Sequence, residues 1–253
     1  MDSIALMRVE LYKLKKKKTV KILFLISIIP SFFYAMAMKF NWSFVSVTVD
    51  GFSIINYITS IYTIIFILGI PMFILFFIST NLIANEIYEG QMMLAITRVA
   101  KRERILSGKF LAITYLLFLF FITNIIASIV AFYLFIYDTK YFIPFTLNMD
   151  TLNKVVNLFG VQIFLLLLCY IVMLCSTRFN LVISIVCGLL FLTITSFANY
   201  IPYVKYISPG YLALSDLDIG SNYYIIFIQI CINLMLFIFI VRKGWKNFRQ
   251  IEF

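Results

Sequence analysis

The ionisable side chains of this chain are concentrated in two charged segments. The first precedes residue 22 and includes Glu10, Lys13 and Lys15, and the second begins at Glu86 and ends at Lys109. Acidic and basic groups at such spacings can pair with one another or with the charged surface of a protein partner. The alternative is a set of solvated charges that only sets the topology of a membrane protein.

Groups that could catalyse a reaction or bind a nucleotide are missing from the sequence. The chain has no histidine, no Cys-x-x-Cys pair and no Gly-x-x-x-x-Gly-Lys-Ser/Thr phosphate loop. We therefore expect no metal, no cofactor, no bound ATP and no enzymatic activity in this chain. Several amides lie within apolar segments, and those interpreted as hydrogen-bonding groups between helices are Asn124, Gln162, Gln229 and Asn233.

The composition indicates a protein of the lipid bilayer. Hydrophobic residues make up 63% of the 253 residues and charged residues 13%, with a mean hydropathy of +1.03, whereas a soluble domain is roughly 25% charged. Six stretches contain no Asp, Glu, Lys or Arg: 22–38, 51–85, 110–137, 155–177, 179–204 and 219–241. They are apolar on every side, which favours transmembrane helices over strands of a β-barrel.

The sequence thus predicts an all-α polytopic membrane protein that forms a single domain, residues 1–253. Transmembrane helices are expected near residues 20–38, 55–80, 110–137, 155–177, 181–200 and 221–241. With both termini in the cytoplasm, 17 of the 21 Lys and Arg residues lie on the inner side, as the positive-inside rule requires. Anionic lipid then accounts for the net charge of +10, and no nucleic-acid partner is expected.

Three local patterns refine this prediction. Residues 1–18 have helical spacing of apolar positions and are expected to form an interfacial helix on the inner membrane surface. The Gly69-Ile70-Pro71 sequence should kink the second transmembrane helix. Residues 84–109 are expected to form a cytoplasmic segment whose helix has one apolar face, made of Tyr88, Met92, Ala95 and Val99.

Two motifs in the charged segments resemble those of a known family. Val9-Glu10-Leu11-Tyr12-Lys13-Leu14-Lys15 is similar to the Glu-Leu-x-Lys-Leu-Lys start of the type-2 ABC permeases, in particular the bacitracin-resistance and lantibiotic-immunity branch. Glu86-x-x-Glu89-Gly90, followed by Arg98, Arg102 and Gly108-Lys109, is similar to the cytoplasmic pattern of that family. The chain departs from the pattern at Gln91, where Thr is usual, and at Val99, where Pro is usual.

The resemblance implies the transmembrane subunit of an exporter in which a second permease subunit, identical or homologous, and separate ABC ATPase subunits complete the transporter. It assigns coupling to the ATPase to Glu86, Glu89, Gly90, Arg98 and Arg102, and places Glu10, Lys13 and Lys15 on an interfacial elbow helix. The implied cargo is a hydrophobic or amphipathic compound, with an antimicrobial peptide favoured. The implied location is the plasma membrane of a bacterium.

Other functions are compatible with the same residues. The chain could be a non-transporting immunity factor or scaffold in the membrane, or it could export lipids or small drugs. A stand-alone secondary carrier is less favoured, because such carriers commonly use acidic residues near the middle of the membrane and none is present here.

Overall fold

The chain folds into a bundle of α-helices, as a computed structural model shows for residues 3–42, 51–93, 102–146, 148–214 and 223–250. The side chains of Arg102 and Tyr223 are not part of this description. The helices are α1 Ser3–Lys16, α2 Lys18–Lys39, α3 Ile54–Ile67, α4 Ile70–Thr80, α5 Glu86–Tyr88, α6 Arg102–Ala131, α7 Met149–Cys175, α8 Leu181–Ala198, α9 Tyr211–Leu214 and α10 Tyr223–Arg249. In the described ranges the only β-type pairing is an isolated bridge between Phe52 and Phe142.

Within the described ranges, six helices are long and apolar enough to cross a membrane, which supports the predicted multi-pass protein. They comprise Lys18–Lys39, Ile70–Tyr88, Glu103–Ile136, Met149–Cys175, Leu181–Ala198 and Tyr224–Arg249. Two of them contain a wider π-helical turn, at Asn81–Asn85 and at Phe132–Ile136. The expected helix at the N-terminus is present as α1, which packs mainly against the start of α6.

The predicted second transmembrane segment is interrupted where the sequence predicts a kink. Ile70–Tyr88 is long enough to cross a membrane, whereas Ile54–Ile67 is a shorter apolar helix. Gly69 has a left-handed backbone conformation with φ of +69° and separates α3 from α4. Pro71 follows in the first turn of α4, where its missing N–H breaks no helical hydrogen bond. The prediction is therefore confirmed, and the kink is a complete break between two helices.

The core of the bundle is built around α7. The most apolar part of α7 is 61% buried, whereas the corresponding parts of α8 and α10 are each 17% buried. Fully buried side chains such as Leu23 of α2, Phe76 of α4, Leu117 of α6 and Phe164 of α7 belong to one continuous apolar cluster. Most of the apolar surface of α8 and α10 is therefore exposed.

Two of the amides within the bundle join separate helices, as predicted. Asn124 of α6 donates to the Ser27 carbonyl of α2 at 3.0 Å. Gln162 of α7 accepts a hydrogen bond from the Tyr62 hydroxyl of α3 and donates to the Leu117 carbonyl of α6 at 3.2 Å. Gln229 binds the Tyr206 carbonyl. The prediction is wrong for Asn233, because its amide donates to the Gln229 carbonyl of its own helix.

The prediction of a helix with one apolar face in residues 84–109 is wrong for the first part of that segment. The helix that contains Glu86 ends at Tyr88, and Gly90 has a left-handed φ of +73°. Tyr88 is 88% exposed, whereas Met92 is fully buried in the apolar core, so the two do not share one face. The other expected members of that face, Ala95 and Val99, lie outside the described residues.

We predict that Gly160→Ala destabilises the bundle. A Cβ atom at this position would lie 2.6 Å from the Leu212 carbonyl oxygen and 2.7 Å from Leu212 Cβ. Because backbone atoms of α9 form this contact, α7 and α9 must separate to admit the methyl group. We expect a loss of about 1–3 kcal/mol in the free energy of unfolding, measured in detergent by thermal or denaturant unfolding.

Gly244→Ala is the matched control. Gly244 also lies within a helix, but the nearest atom to a methyl group added there is the flexible Leu106 Cδ2 at 3.3 Å. Both substitutions gain the same helix propensity of roughly 1 kcal/mol. Equal unfolding temperatures for the two variants would contradict the close contact at Gly160.

Candidate functional site

Four charged side chains from three separate parts of the chain meet at one end of the bundle. We call Glu10, Lys13, Glu86 and Lys109 the ion cluster. Lys109 Nζ lies 2.5 Å from Glu86 Oε2 and 3.1 Å from Glu10 Oε1. Lys13 Nζ lies 3.0 Å from Glu86 Oε1 and 3.4 Å from Glu10 Oε1. Each ammonium group therefore contacts both carboxylates, and the four charges sum to zero.

The ion cluster is largely shielded from water. The side chain of Lys109 is 1% exposed, and those of Glu10 and Glu86 are 10% and 12% exposed, whereas that of Lys13 is 44% exposed. Placing an unpaired charge in such a position costs several kcal/mol. The two carboxylates offset this cost for Lys109, so the position of Lys109 depends on the positions of Glu10 and Glu86.

Two backbone features bring the carboxylates to Lys109. Gly108 lets α1 approach α6 closely: a Cβ atom at Gly108 would lie 2.8 Å from Leu6 Cβ and 3.3 Å from the Met7 nitrogen. The π-helical turn Asn81–Asn85 directly precedes Glu86 and changes the direction in which the residues after it face. The first feature places Glu10 at the cluster, and the second helps to orient Glu86.

Lys13 remains charged in this environment. Burial lowers the pKa of Lys13, but the neighbouring Glu10 and Glu86 carboxylates outweigh burial and hold the pKa above its usual value. A raised lysine pKa adds stability that is fully present below the ordinary lysine pKa and is lost as the pH rises through the raised value. The ion pairs of Lys13 therefore persist throughout the neutral pH range.

The structure brings together only some of the predicted site residues. Glu10, Lys13 and Glu86 belong to the ion cluster, whereas Lys15 is exposed on α1. Glu89 is exposed and accepts hydrogen bonds from Asn85 Nδ2 at 2.7 Å and Gln91 Nε2 at 2.6 Å. Gly90 is exposed beside it.

Two predicted coupling residues cannot be located in this geometry. Arg98 lies outside the described residues, and Arg102 is described only as the first residue of α6. Glu89 and Gly90 are therefore the predicted coupling residues that the structure describes as exposed after α5.

Lys109 is the central residue that the sequence interpretation does not assign to the site. In the sequence it stands out only as part of the Gly108-Lys109 pair and as one of many basic residues on the same side. Lys109 directly precedes the charge-free stretch 110–137. This position could have indicated its role, because a lysine that is buried beside a long apolar helix needs a counter-charge.

The C-terminal helix joins the same end of the bundle. Trp245 Nε1 of α10 donates to the Ser107 hydroxyl of α6 at 3.1 Å, and Arg249 forms an ion pair with Glu103. The start of α6 thus contacts both the N-terminal and the C-terminal helices.

A scan against protein-family models gives no match, and a search of curated proteins gives no significant match.

We predict that Lys109→Met strongly destabilises the protein. The methionine fills a similar volume but leaves Glu10 and Glu86 with Lys13 as their only cationic neighbour in the cluster. Removing one partner of a buried ion pair typically costs about 3–5 kcal/mol. Thermal unfolding of the purified variant in detergent should show this loss, and Lys15→Met on the exposed face of α1 should show almost none.

A second variant distinguishes the ion pairs from simple packing. In Lys109→Met combined with Glu86→Gln, the remaining charges of Glu10 and Lys13 again sum to zero. The double variant should therefore be less destabilised than the sum of the two single variants. Additive losses would mean that Lys109 and Glu86 do not interact as the geometry indicates.

Proposed function

We propose that this chain is the transmembrane subunit of an ABC exporter that is powered by a separate ATPase subunit. The observation that carries the proposal is the ion cluster, which joins α1 to the end of the second transmembrane segment and the start of the third. These are the elements that, by resemblance to the type-2 ABC permeases, contact the ATPase. A subunit that is moved by an ATPase at this end of the bundle needs such a direct connection between α1 and the two transmembrane segments.

The proposal places the ion cluster and both termini on the cytoplasmic side of a bacterial plasma membrane. The distribution of basic residues along the sequence supports this orientation. In this orientation α1 lies at the inner membrane surface as an elbow helix, and Glu89 and Gly90 face the cytoplasm. An ATPase docked there would reach Glu89 from solution and the ion cluster through Glu86.

The proposed cargo is a hydrophobic or amphipathic compound, with an antimicrobial or other membrane-active peptide favoured by the resemblance. A second permease subunit, identical or homologous, would complete the export path. The exposed apolar surfaces of α8 and α10 offer area for such a contact and for lipid. Export of lipids or small drugs, and a non-transporting immunity or scaffold role, are the alternatives. The copurification experiment below separates the non-transporting role from ATP-driven export.

Copurification tests the proposal directly. The chain should be extracted from its native membrane in a mild detergent, and the proteins bound to it should be identified. We expect an ATPase in stoichiometric amount and ATP hydrolysis by the complex. Protection of cells against a toxic peptide by this chain alone, without any ATPase, would support the immunity role and contradict the proposal.

Glu89→Ala should separate coupling from stability. Glu89 is exposed and outside the ion cluster, so its removal should change the free energy of unfolding by no more than about 0.5 kcal/mol. If Glu89 contacts the ATPase, ATP turnover by the complex should fall several-fold. The measurements are thermal unfolding of the subunit and ATP hydrolysis by the complex.

Asp138→Ala is the control for this prediction. Asp138 is also an exposed carboxylate, but it follows the π-helical turn at the opposite end of the α6 segment. It should leave both unfolding and ATP turnover unchanged. The same fall in turnover for both variants would indicate a general effect of charge and would contradict docking at Glu89.

A further inference from the structure

A cleft lies between α3 and α7 at the end of the bundle opposite the ion cluster. We call it the α3–α7 cleft, and its volume is about 770 Å³, within the range of roughly 300–1,000 Å³ that is typical of small-molecule sites. Its lining combines polar side chains of α3 and α7 with apolar side chains of α3, and it includes the aromatic rings of Tyr34 and Phe52.

Polar side chains of two helices line the cleft and form two polar stripes. On α7, Asp150, Asn153, Lys154 and Asn157 follow i, i+3, i+4 and i+7. On α3, Thr59, Ser60 and Thr63 follow i, i+1 and i+4. Asn157 donates to the Leu212 carbonyl at 3.1 Å. Polar groups that face lipid tails are unfavourable, so the remaining groups of the stripes, above all Ser60, Thr63, Asp150 and Lys154, indicate a polar occupant of the cleft.

The hydroxyl groups of Ser60 and Thr63 differ from others in the bundle. Thr59, Thr80 and Thr114 each donate to a carbonyl of their own helix at 3.0 Å. Within the described part of the chain, Ser60 and Thr63 form no hydrogen bond. Their donors therefore remain available to a ligand in the cleft.

Charge and polarity change with depth in the cleft. Asp150 and Lys154 lie in the first turns of α7, at the mouth, and neither forms an ion pair with a described residue. Seven residues separate Asp150 from Asn157, which corresponds to about 10 Å along the helix. Ile64, Phe66 and Ile67, near the end of α3, provide the apolar lower part.

We propose that the α3–α7 cleft binds a zwitterionic phospholipid, with its ammonium group at Asp150, its phosphate at Lys154 and its ester oxygens at Ser60 and Thr63. The acyl chains contact the apolar lower part. A lipid headgroup region is roughly 5–8 Å deep, which is similar to the depth of the polar stripes. An amphipathic helical peptide fits less well, because it carries charges along its whole length, whereas the charged carboxylate and ammonium groups of the lining, those of Asp150 and Lys154, lie at the mouth.

The inference is independent of ATP-driven export, so it is tested on the purified full-length chain. Native mass spectrometry should measure binding of phosphatidylethanolamine and of phosphatidylglycerol, which share the phosphate but not the ammonium group. We expect phosphatidylethanolamine to bind roughly tenfold more tightly, as one charge-assisted hydrogen bond can provide.

Two substitutions separate the contributions of the two charges. Asp150→Asn should remove the preference for phosphatidylethanolamine and leave binding of phosphatidylglycerol unchanged. Lys154→Gln should weaken both lipids, because both carry the phosphate. Asp150 also lies at the N-terminus of α7, where a carboxylate favours the helix, but a purely structural role would affect both lipids equally.

Asp138→Asn and Lys140→Gln are matched controls, since both residues are exposed and lie outside the cleft lining. They should leave lipid binding unchanged. Equal binding of the two lipids, or loss of preference in the controls, would reduce the cleft to non-selective lipid contact and overturn the proposal. Displacement of phosphatidylethanolamine by a synthetic Lys-Leu amphipathic peptide whose own binding depends on Asp150 would overturn it in favour of a peptide site.

Discussion

A lysine ammonium group that is removed from water must be neutralised, and the burial of Lys109 imposes this requirement on the whole bundle. The required carboxylates come from α1 and from the end of the second transmembrane segment, far from Lys109 in the chain. The N-terminal helix is therefore held against α6 by charge as well as by the close contact at Gly108. The C-terminal helix α10 contacts the same part of α6, because Trp245 donates a hydrogen bond to Ser107. Neutralisation of Lys109 thus holds the N-terminal helix, and a hydrogen bond to Ser107 holds the C-terminal helix, at the same end of α6.

The second transmembrane segment connects this end of the bundle with the α3–α7 cleft. Its first half, α3, is joined to α7 by the Tyr62–Gln162 hydrogen bond. Its second half, α4, continues through the π-helical turn to Glu86. Between the two halves the helix is broken at Gly69. Both halves also pack against α7 and α2. The break therefore lets the chain change direction while both halves stay packed on the same two helices.

Much of the fold could be predicted from the sequence, because the constraint of the bilayer is local. Charge-free stretches identify apolar helices, Gly69 and Pro71 mark the break, and the amides Asn124 and Gln162 indicate contacts between helices. The composition of the candidate site could be predicted only in part. Glu10 and Glu86 are recognisable by their motifs, but their meeting at Lys109 depends on long-range packing. The helical pattern of Tyr88 and Met92 fails because Gly90 ends the regular spacing between them.

The π-helical turn Asn81–Asn85 depends on the number of residues in this segment. Each residue of an α-helix advances the direction of the next by about 100°. Deleting a single residue from this turn would convert it to an ordinary α-helical turn and swing Glu86 away from Lys109, even if every remaining side chain were preserved. Homologous chains that keep the same arrangement should therefore have no insertions or deletions between Thr80 and Glu86, and they should keep apolar residues at the buried positions of Leu82 and Ile83.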